Sequence, residues 1–337
     1  MEPFCLKTIY SHLGDEESRF LFEKRLCYSL TGDMQRAIHG INETNAAYKK
    51  LLETKREIFK FGAGDMANAV IESYPKVSWK AFIENDKSKV GKPGILPIIS
   101  FEEFIANSEN AAVFISSKLY SNEMKRQLLN NGFPEEFIII DVSVNQYFNL
   151  SQFKPCKNEF FIDAGACDGN TTKDFFRWIQ NNGGERGRSI IFEPNPIQYK
   201  ICKDNLQSCD NVKFVNNGLW HKKDTLKFHK DCGASCITPD GEEIIETISL
   251  DEYFKDEKES ITFIKMDIEG AELNALKGAE QTIKKYKPKL AICIYHKPED
   301  VWEIPNLLLE FVPDYKFYIR HHCFSYLRET VLYALPI

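Results

Sequence analysis

The sequence lacks several features that would assign it to a class at once. It has no apolar run of membrane-spanning length, and its first residues, MEPFCLKTIYSHLGDEESR, contain no hydrophobic stretch of a secretory signal. It has no basic excess, because 43 Lys and Arg stand against 49 Asp and Glu, a formal net charge of -6. It also has no internal repeat or low-complexity tract. We therefore expect a cytoplasmic protein without a membrane span, and no nucleic acid among its partners.

Paired cysteines are also missing. The ten cysteines are scattered and no Cys-x-x-Cys pair occurs. Cys232 and Cys236 are spaced like half of a zinc site, but no second half follows nearby. We expect reduced thiols and no bound metal.

The length of 337 residues predicts two domains rather than one core. Residues 1–55 have helical spacing and read as a packing or oligomerisation segment, through which a homo-oligomer could form. Residues 56–142 read as a small Rossmann-like α/β domain. Residues 143–158 have no sustained period and contain a proline, so we expect a linker there. Residues 159–337 then form the larger α/β domain.

The small domain carries a glycine turn in REIFKFGAGDMANAV. The spacing of Gly62, Gly64 and Ala67 fits the G-x-G-x-x-A form of the dinucleotide fingerprint, with Asp65 as the N-cap of the next helix. About twenty residues further on, the strand WKAFIEND ends in an acid, Glu84, where a ribose-binding carboxylate is expected. The alternative is a turn whose glycines only allow tight packing.

This domain resembles the nucleotide-sugar-binding domain of bacterial sugar O-acetyltransferases of the sialic-acid type. The resemblance rests on the turn FGAGDMA and the strand end FIENDKSKVGK. It implies docking of a nucleotide-sugar or its sugar, and a purely structural role is the alternative.

A second glycine turn begins the larger domain, in the stretch FFIDAGACDGNTT. A buried strand ends at Asp163, a turn with Gly165, Asp168 and Gly169 follows, and a helix begins after it. Glycines let a backbone approach a ligand closely. The next strand, RSIIFEPNP, ends in Glu193, which could accept both ribose hydroxyls of an adenosine.

Five parallel strands and a terminal antiparallel pair are predicted in this domain, a seven-stranded doubly wound Rossmann-like sheet. Residues 224–248 alternate and indicate an inserted hairpin or lid. In such a sheet the ligand binds at the carboxyl ends of the strands. Asn217, Asp267 and His296 follow three further strands there, so the predicted crevice is acidic with one histidine. That composition suits a cationic, ribose-containing cofactor.

The set FIDAGACDG, IIFEPNP, ETISLDEYF, FIKMDIEGAE and LAICIYH resembles the FkbM family of S-adenosylmethionine-dependent methyltransferases over residues 160 to 335. The resemblance implies S-adenosylmethionine as cofactor and O-methylation of a small acceptor, a sugar or nucleotide-sugar in capsule, lipopolysaccharide or other glycan synthesis. The implied cofactor-binding residues are Asp163, Gly165, Ala166, Asp168, Gly169, Glu193, Asn217 and Asp267.

A base is needed to take the proton of the acceptor hydroxyl. His296 is the first candidate because it ends a central strand, and Asp267 is the alternative; Glu269 would border the methyl-donor face. A divalent metal held by these three residues is a further possibility, since oxygen-rich sites suit magnesium. Two other functions remain open: an NAD-dependent oxidoreductase that uses the turn at Gly62, and a non-catalytic nucleotide-sugar-binding protein.

Overall fold

The structure is a computed structural model. It describes residues 6–42, 45–64, 67–117, 120–141, 146–229, 236–238, 240–256, 259–323 and 327–337. The chain divides into two compact units. The large unit comprises Met1–Ser29, Asn145–Arg320 and Glu329–Ile337, and the small unit comprises Leu30–Val144 and His321–Arg328.

The helices are α1 (Leu6–His12), α2 (Glu16–Thr31), α3 (Met34–Asn42), α4 (Ala46–Glu53), α5 (Ala67–Ser73), α6 (Phe101–Ala106), α7 (Ser121–Asn130), α8 (Asn170–Asn181), α9 (Pro196–Asn205), α10 (Leu250–Tyr253), α11 (Glu272–Lys277), α12 (Glu280–Tyr286) and α13 (Asp300–Phe311). Within the described parts of the chain, no helix is both long and apolar enough to cross a membrane.

The strands are β1 (Glu57–Phe61), β2 (Trp79–Glu84), β3 (Ile98–Ser100), β4 (Ala111–Ile115), β5 (Ile138–Ile140), β6 (Asn158–Ala164), β7 (Arg186–Phe192), β8 (Val212–Val215), β9 (Gly218–Leu219), β10 (Asp224–His229), β11 (Cys236–Ile237), β12 (Glu243–Ile248), β13 (Phe263–Met266), β14 (Lys289–Cys293), β15 (Tyr315–His321) and β16 (Thr330–Pro336).

The small unit contains a five-stranded sheet in the order β3-β2-β1-β4-β5, and its neighbouring strands all pair in parallel. Every residue of β4, AAVFI, is buried, as expected for a strand covered on both faces. The strand β3 was not predicted, because three residues carry too little pattern. The predicted N-cap Asp65 lies outside the described residues.

The large unit contains the predicted seven-stranded sheet, in the order β15-β16-β14-β13-β6-β7-β8. The five strands from β14 to β8 pair in parallel, and β16 runs antiparallel to β14. The inserted segment is also confirmed as a hairpin: β10 and β12 pair antiparallel within a four-stranded sheet of order β11-β10-β12-β9.

The units differ from the predicted domains at three places. The predicted helical segment 1–55 is divided, because residues up to Ser29 join the large unit, where the Ser18 hydroxyl accepts a hydrogen bond from the backbone N–H of Ile319 at 3.0 Å. The described part of the expected linker, from residue 146 onward, also packs into the large unit, because Phe148 and Phe153 are buried against the ring of Phe263. His321–Arg328, predicted within the larger domain, cluster with the small unit. Residues 146–157 are anchored by aromatic rings without forming a helix or strand, so their packing leaves no periodic signal in the sequence.

Candidate active site

The glycine turn after β6 is held against its neighbouring strands. Gly165 has φ +74 and donates its N–H to the carbonyl of Phe192 at 3.0 Å. A Cβ atom at this glycine would lie 1.9 Å from the carbonyl oxygen of Asp267. A Cβ at Gly169, φ +81, would lie 2.7 Å from Leu206 and 2.9 Å from the Cys202 sulfur. Both glycines are therefore required by packing as well as by backbone conformation.

Asp163 lies beneath this turn and has no exposed surface. Its carboxylate accepts a hydrogen bond from the Thr172 hydroxyl at 2.8 Å and lies 3.2 Å from the ammonium of Lys265. That ammonium also donates to the carbonyls of Ala164 and Gly165, at 3.1 and 2.7 Å. Asp163 is predicted to contact the cofactor, but the structure places it where it acts on the turn through Lys265.

Glu193 follows β7 at the sheet edge and is almost fully buried. One oxygen of its carboxylate accepts the N–H of Cys167 at 3.0 Å, and the other accepts the N–H of Asn195 at 2.9 Å. Burial raises the pKa of this carboxyl, and the two backbone donors oppose that rise. The remaining lone pairs of the two oxygens are the only acceptors that the group can offer to ligand hydroxyls.

A cavity lies at the carboxyl ends of β6, β7 and β13, beside the inserted sheet. Of the predicted residues, it brings together Gly165, Glu193, Asp267 and Glu269. The remaining lining residues, which the sequence reasoning missed, are Ala164, Cys167, Phe192, Pro194, Gln198, Gly218, Leu219, Phe228, Ile237, Ile245, Ile268 and Ala271. Most of them are apolar, and an apolar residue at a strand end looks the same in sequence whether it lines a core or a cavity.

Six predicted residues do not line this cavity: Asp163, His296, Ala166, Asp168, Gly169 and Asn217. Ala166 is buried in a core cluster with Ile191, and Gly169 precedes helix α8. Asp168 accepts the N–H of Asn170 at 3.0 Å, so its carboxylate stabilises the start of that helix. Asn217 is half-buried between β8 and β9.

His296 is the centre of a buried cluster of ionisable groups. Its Nδ1 lies 2.9 Å from a carboxylate oxygen of Glu272, and its Nε2 lies 3.3 Å from Glu269 and 3.6 Å from Asp267. Tyr147 and Tyr295 donate their hydroxyls to the two oxygens of Asp267, at 2.8 and 3.0 Å. The structure therefore joins the three predicted catalytic residues and adds a third carboxylate and two tyrosines.

These contacts fix the charge of the histidine. Burial alone lowers the pKa of His296, but hydrogen bonds to Glu269 and Glu272 and the charge of Asp267 raise it to about 10. Burial raises the pKa of Asp267. The positive charges of Lys265 and His296 outweigh burial, and they hold the pKa of Asp267 below its usual value. At neutral pH the ring is therefore an imidazolium beside ionised Asp267. A free imidazole, which a base requires, is not the resting form of His296.

Glu269 is held in an uncommon backbone conformation. Its φ is +53, followed by Gly270 at φ +90, so helix α11 begins at Glu272 rather than at the predicted Glu269. Such a conformation in a residue with a Cβ costs about 1–3 kcal/mol and occurs most often at functional sites. Here it places a partly exposed carboxylate on the cavity wall, within reach of His296.

A metal ion could be held at the same cluster. Asp267, Glu272 and His296 each offer one ligand atom, and these atoms lie within 4.8 Å of one another. The set differs from the predicted one by containing Glu272 in place of Glu269. Ion pairs of the His296 imidazolium with Asp267 and Glu272 also explain why these three side chains lie together, so the cluster does not require a metal ion.

Comparison with known proteins finds methyltransferases to which this chain is similar. Residues 163–322 match the family model described as the methyltransferase FkbM domain. The curated 2-O-methyltransferase NoeI of Sinorhizobium fredii (strain NBRC 101917 / NGR234) is 24% identical over 147 residues, 37% of this chain and 58% of NoeI. The chain thus spans less than two thirds of this relative's length.

Two solved structures are similar to the chain. The methyltransferase FkbM from Methylobacillus flagellatus KT has a TM-score of 0.48 at 17% identity and covers 91% of this chain and 100% of its own. The O-methyltransferase from Bacillus cereus, solved in complex with SAH, has a TM-score of 0.36 at 16% identity and covers 63% of this chain and 89% of its own.

Proposed function

Because residues 163–322 match the model of the methyltransferase FkbM domain, we propose that this chain transfers the methyl group of S-adenosylmethionine to a hydroxyl of a sugar or nucleotide-sugar. The acceptor would belong to the synthesis of a capsule, a lipopolysaccharide or another glycan. Transfer to oxygen agrees with the name of the 24% identical relative, a 2-O-methyltransferase, and the acceptor class rests on the family resemblance.

The composition of the cavity wall is the observation that carries this proposal. Glu193, Asp267 and Glu269 contribute three carboxylates, and no Lys or Arg stands among the described residues that line the cavity. A sulfonium ion with a ribose is a cation with two hydroxyls, so a wall that offers negative charge and hydrogen-bond acceptors suits it. A dinucleotide in the cofactor's place would put its diphosphate against these carboxylates and would be repelled.

Glu193 would hold the ribose, with its orientation fixed by the N–H groups of Cys167 and Asn195. When bound, S-adenosylmethionine supplies a methyl group on a positively charged sulfur. Asp267 and Glu269 would face that positive charge. Lys265 fixes the carbonyls of the glycine turn from below, so the floor of the cavity is rigid before the ligand arrives.

The acceptor hydroxyl needs a residue that removes its proton. The imidazolium of His296 has its ring nitrogens against Glu272 and Glu269, so it would hold the carboxylate of Glu269 in position. Glu269 would take the proton, because it lies on the cavity wall and 3.3 Å from that ring. Asp267 is less available, since both of its oxygens already accept tyrosine hydroxyls.

Calorimetric titration with S-adenosylhomocysteine tests the cofactor half of the proposal. We expect binding by the wild type and a loss of about tenfold or more in Glu193→Gln, because a hydrogen bond to a charged group is replaced by one to an amide. Glu185→Gln is the matched control, since Glu185 is exposed and ion-paired with Lys157 instead. Equal affinity of all three proteins would refute this site.

The acceptor half is tested by methyl transfer from labelled S-adenosylmethionine to a panel of nucleotide-sugars and free sugars. The expected product carries the label as an O-methyl ether. Binding of S-adenosylhomocysteine without transfer to any sugar would leave the cofactor assignment standing and reject the sugar acceptor.

A further inference from the structure

The small unit repeats the local plan of the cofactor turn in the large unit. Gly62, at φ +91, donates its N–H to the carbonyl of Ile83 at 2.8 Å, as Gly165 does to Phe192. Both glycines directly follow a central strand, and both carbonyls precede the acid that ends the neighbouring strand. That acid is Glu84 in the small unit.

The hydrogen bonds of the two acids correspond at two positions. Glu84 accepts the N–H of Ala63 on one oxygen at 2.9 Å. On the other oxygen it accepts the N–H of Asp86 at 3.1 Å and, in addition, that of Asn85 at 2.9 Å. Glu193 accepts one N–H from its own glycine turn and one from the residue two positions later. Each carboxylate is thus fixed at the carboxyl-terminal edge of a parallel sheet. In the small unit, a lone pair on the oxygen beside Ala63 stays available for a ligand hydroxyl.

A buried ammonium supports both turns. The Lys60 ammonium donates to the carbonyls of Phe61 and Gly62, at 3.3 and 2.8 Å. This is the arrangement that Lys265 makes with the carbonyls of Ala164 and Gly165. Lys60 makes these bonds from within its own strand. Burial lowers the pKa of Lys60 to about 8, and the charge of Glu84 opposes this shift. The small unit therefore also has a buried ammonium below its turn, with the carboxylate of Glu84 as the opposing charge.

Gly64 is the residue that packing does not explain. Its φ is not in the left-handed region, and a Cβ atom placed on it would meet no atom of the described residues within 4 Å. The described neighbours therefore do not require glycine at this position, in contrast to Gly165, where a Cβ would strike a backbone oxygen. A glycine that neither conformation nor packing requires is expected where a ligand approaches the backbone.

The described side chains at this turn carry more positive charge than those that line the cofactor cavity. The Lys89 ammonium lies 3.9 Å from the Glu84 carboxylate. Hydrogen bonds from Ser88 lower the pKa of Asp86 most, and the charges of Lys89 and Lys92 lower it further. Among the described residues here, the ammonium groups of Lys60, Lys89 and Lys92 accompany the carboxylates of Glu84 and Asp86. Such a surface favours an anionic ligand, where the large unit favours a cation.

We propose that the turn Gly62–Gly64, together with Glu84 and Lys89, binds the ribose diphosphate part of a nucleotide. Glu84 accepts a ribose hydroxyl, the open face of Gly64 receives the diphosphate against the backbone, and Lys89 neutralises it. A nucleotide-sugar and a dinucleotide share this chemistry. The site is independent of the methyl-donor cavity, so the protein has separate sites for a cationic and an anionic nucleoside ligand.

Calorimetric titrations of the full-length protein with UDP, ADP, a UDP-sugar and NAD test this proposal. We expect at least one of them to bind, and the affinity to fall about tenfold or more in Glu84→Gln and in Gly64→Val. Gly64→Val adds bulk only into open space, so its fold is expected to be intact. Lys50→Glu, at an exposed position on α4, is the control for charge.

Binding of S-adenosylhomocysteine is the internal control, and it should be unchanged in Glu84→Gln and Gly64→Val. Tighter binding of the UDP-sugar than of UDP, with weak NAD binding, would identify a nucleotide-sugar; the reverse order would identify a dinucleotide. Absence of binding of all four compounds would overturn the proposal. So would nucleotide binding that is lost in Glu193→Gln and kept in Glu84→Gln.

Discussion

The Nδ1 atom of His296 lies 2.9 Å from a carboxylate oxygen of Glu272, a side chain with no exposed surface. The same oxygen accepts the N–H of Ile268 at 2.8 Å. The buried acid therefore has one charged and one neutral donor, and the charged one belongs to the histidine that the sequence predicts as a base. This pair links the stability of the fold to the protonation of the active site.

Replacement of His296 by glutamine is expected to destabilise the protein most at low pH. The folded-state pKa of about 10 exceeds the ordinary value of 6.5, so the stabilisation is fully present below about pH 6.5 and is lost as the pH rises through about 10. We expect a loss of about 3 kcal/mol near pH 6, because the variant leaves Glu272 without its charged partner. Urea denaturation of both proteins across this range measures the difference. A difference that does not shrink toward pH 10 would contradict the assigned charge state.

Replacement of Lys265 by methionine is expected to lower the free energy of unfolding by about 3–5 kcal/mol. Among the described residues, the substitution leaves the buried carboxylate of Asp163 with only the Thr172 hydroxyl as partner. The double variant Lys265→Met, Asp163→Leu should recover part of the loss, since Asp163 then no longer remains as a buried charge without its cation. Denaturation of the single and double variants gives the coupling energy. Strict additivity of the two substitutions would show that the pair does not interact.

Replacement of Gly165 by alanine is expected to cost far more than the same change at Gly183. Both residues have φ in the left-handed region, +74 and +79, so an alanine at either position would pay about 1–2 kcal/mol of backbone strain. Only at Gly165 would the new Cβ meet a backbone oxygen, that of Asp267. Thermal unfolding of the two alanine variants separates the cost of backbone strain, which both share, from the cost of the steric clash at Gly165. Gly165→Ala should also weaken binding of S-adenosylhomocysteine. Similar melting temperatures for the two variants would show that the turn adjusts freely.

Replacement of Glu269 by glutamine is expected to reduce kcat for methyl transfer about a hundredfold or more and to leave the affinity for S-adenosylhomocysteine within about threefold. The amide keeps the size of the side chain but cannot accept a proton. Glu280→Gln, at the start of α12 and outside the cavity lining, is the control. If kcat is unaffected while the corresponding change at Asp267 abolishes transfer, the base is Asp267.

The pattern of the sequence was sufficient for the strands of the seven-stranded sheet and for four of the five strands of the small unit's sheet. Apolar runs ending in Asp163, Glu193, Asp267 and the residue before His296 predict parallel strands whose carboxyl ends meet, and the order of strands in the large unit confirms it. The alternation in residues 224–248 likewise predicts the inserted hairpin. Local signals of this kind need no knowledge of the rest of the chain.

The sequence could not indicate which polar residues at those strand ends face a ligand. Asp163 and Glu193 look alike as acids at strand ends, yet one is neutralised by Lys265, a residue about a hundred positions away, and the other lines the cavity. Tyr147 stands in a segment that reads as a linker, and its hydroxyl reaches Asp267. Contacts between residues far apart in sequence leave no periodic signal.

By itself, then, the sequence determined the class of fold, the turn at Gly165 and the set of acids at the sheet edge, because strand periodicity and turn chemistry are local. Only the tertiary structure decided that His296 carries a proton at neutral pH and that Glu269 stands on the cavity wall. The charge of a buried group depends on every ionisable neighbour within a few ångströms. Those neighbours are chosen by packing, which brings together residues that the chain keeps apart.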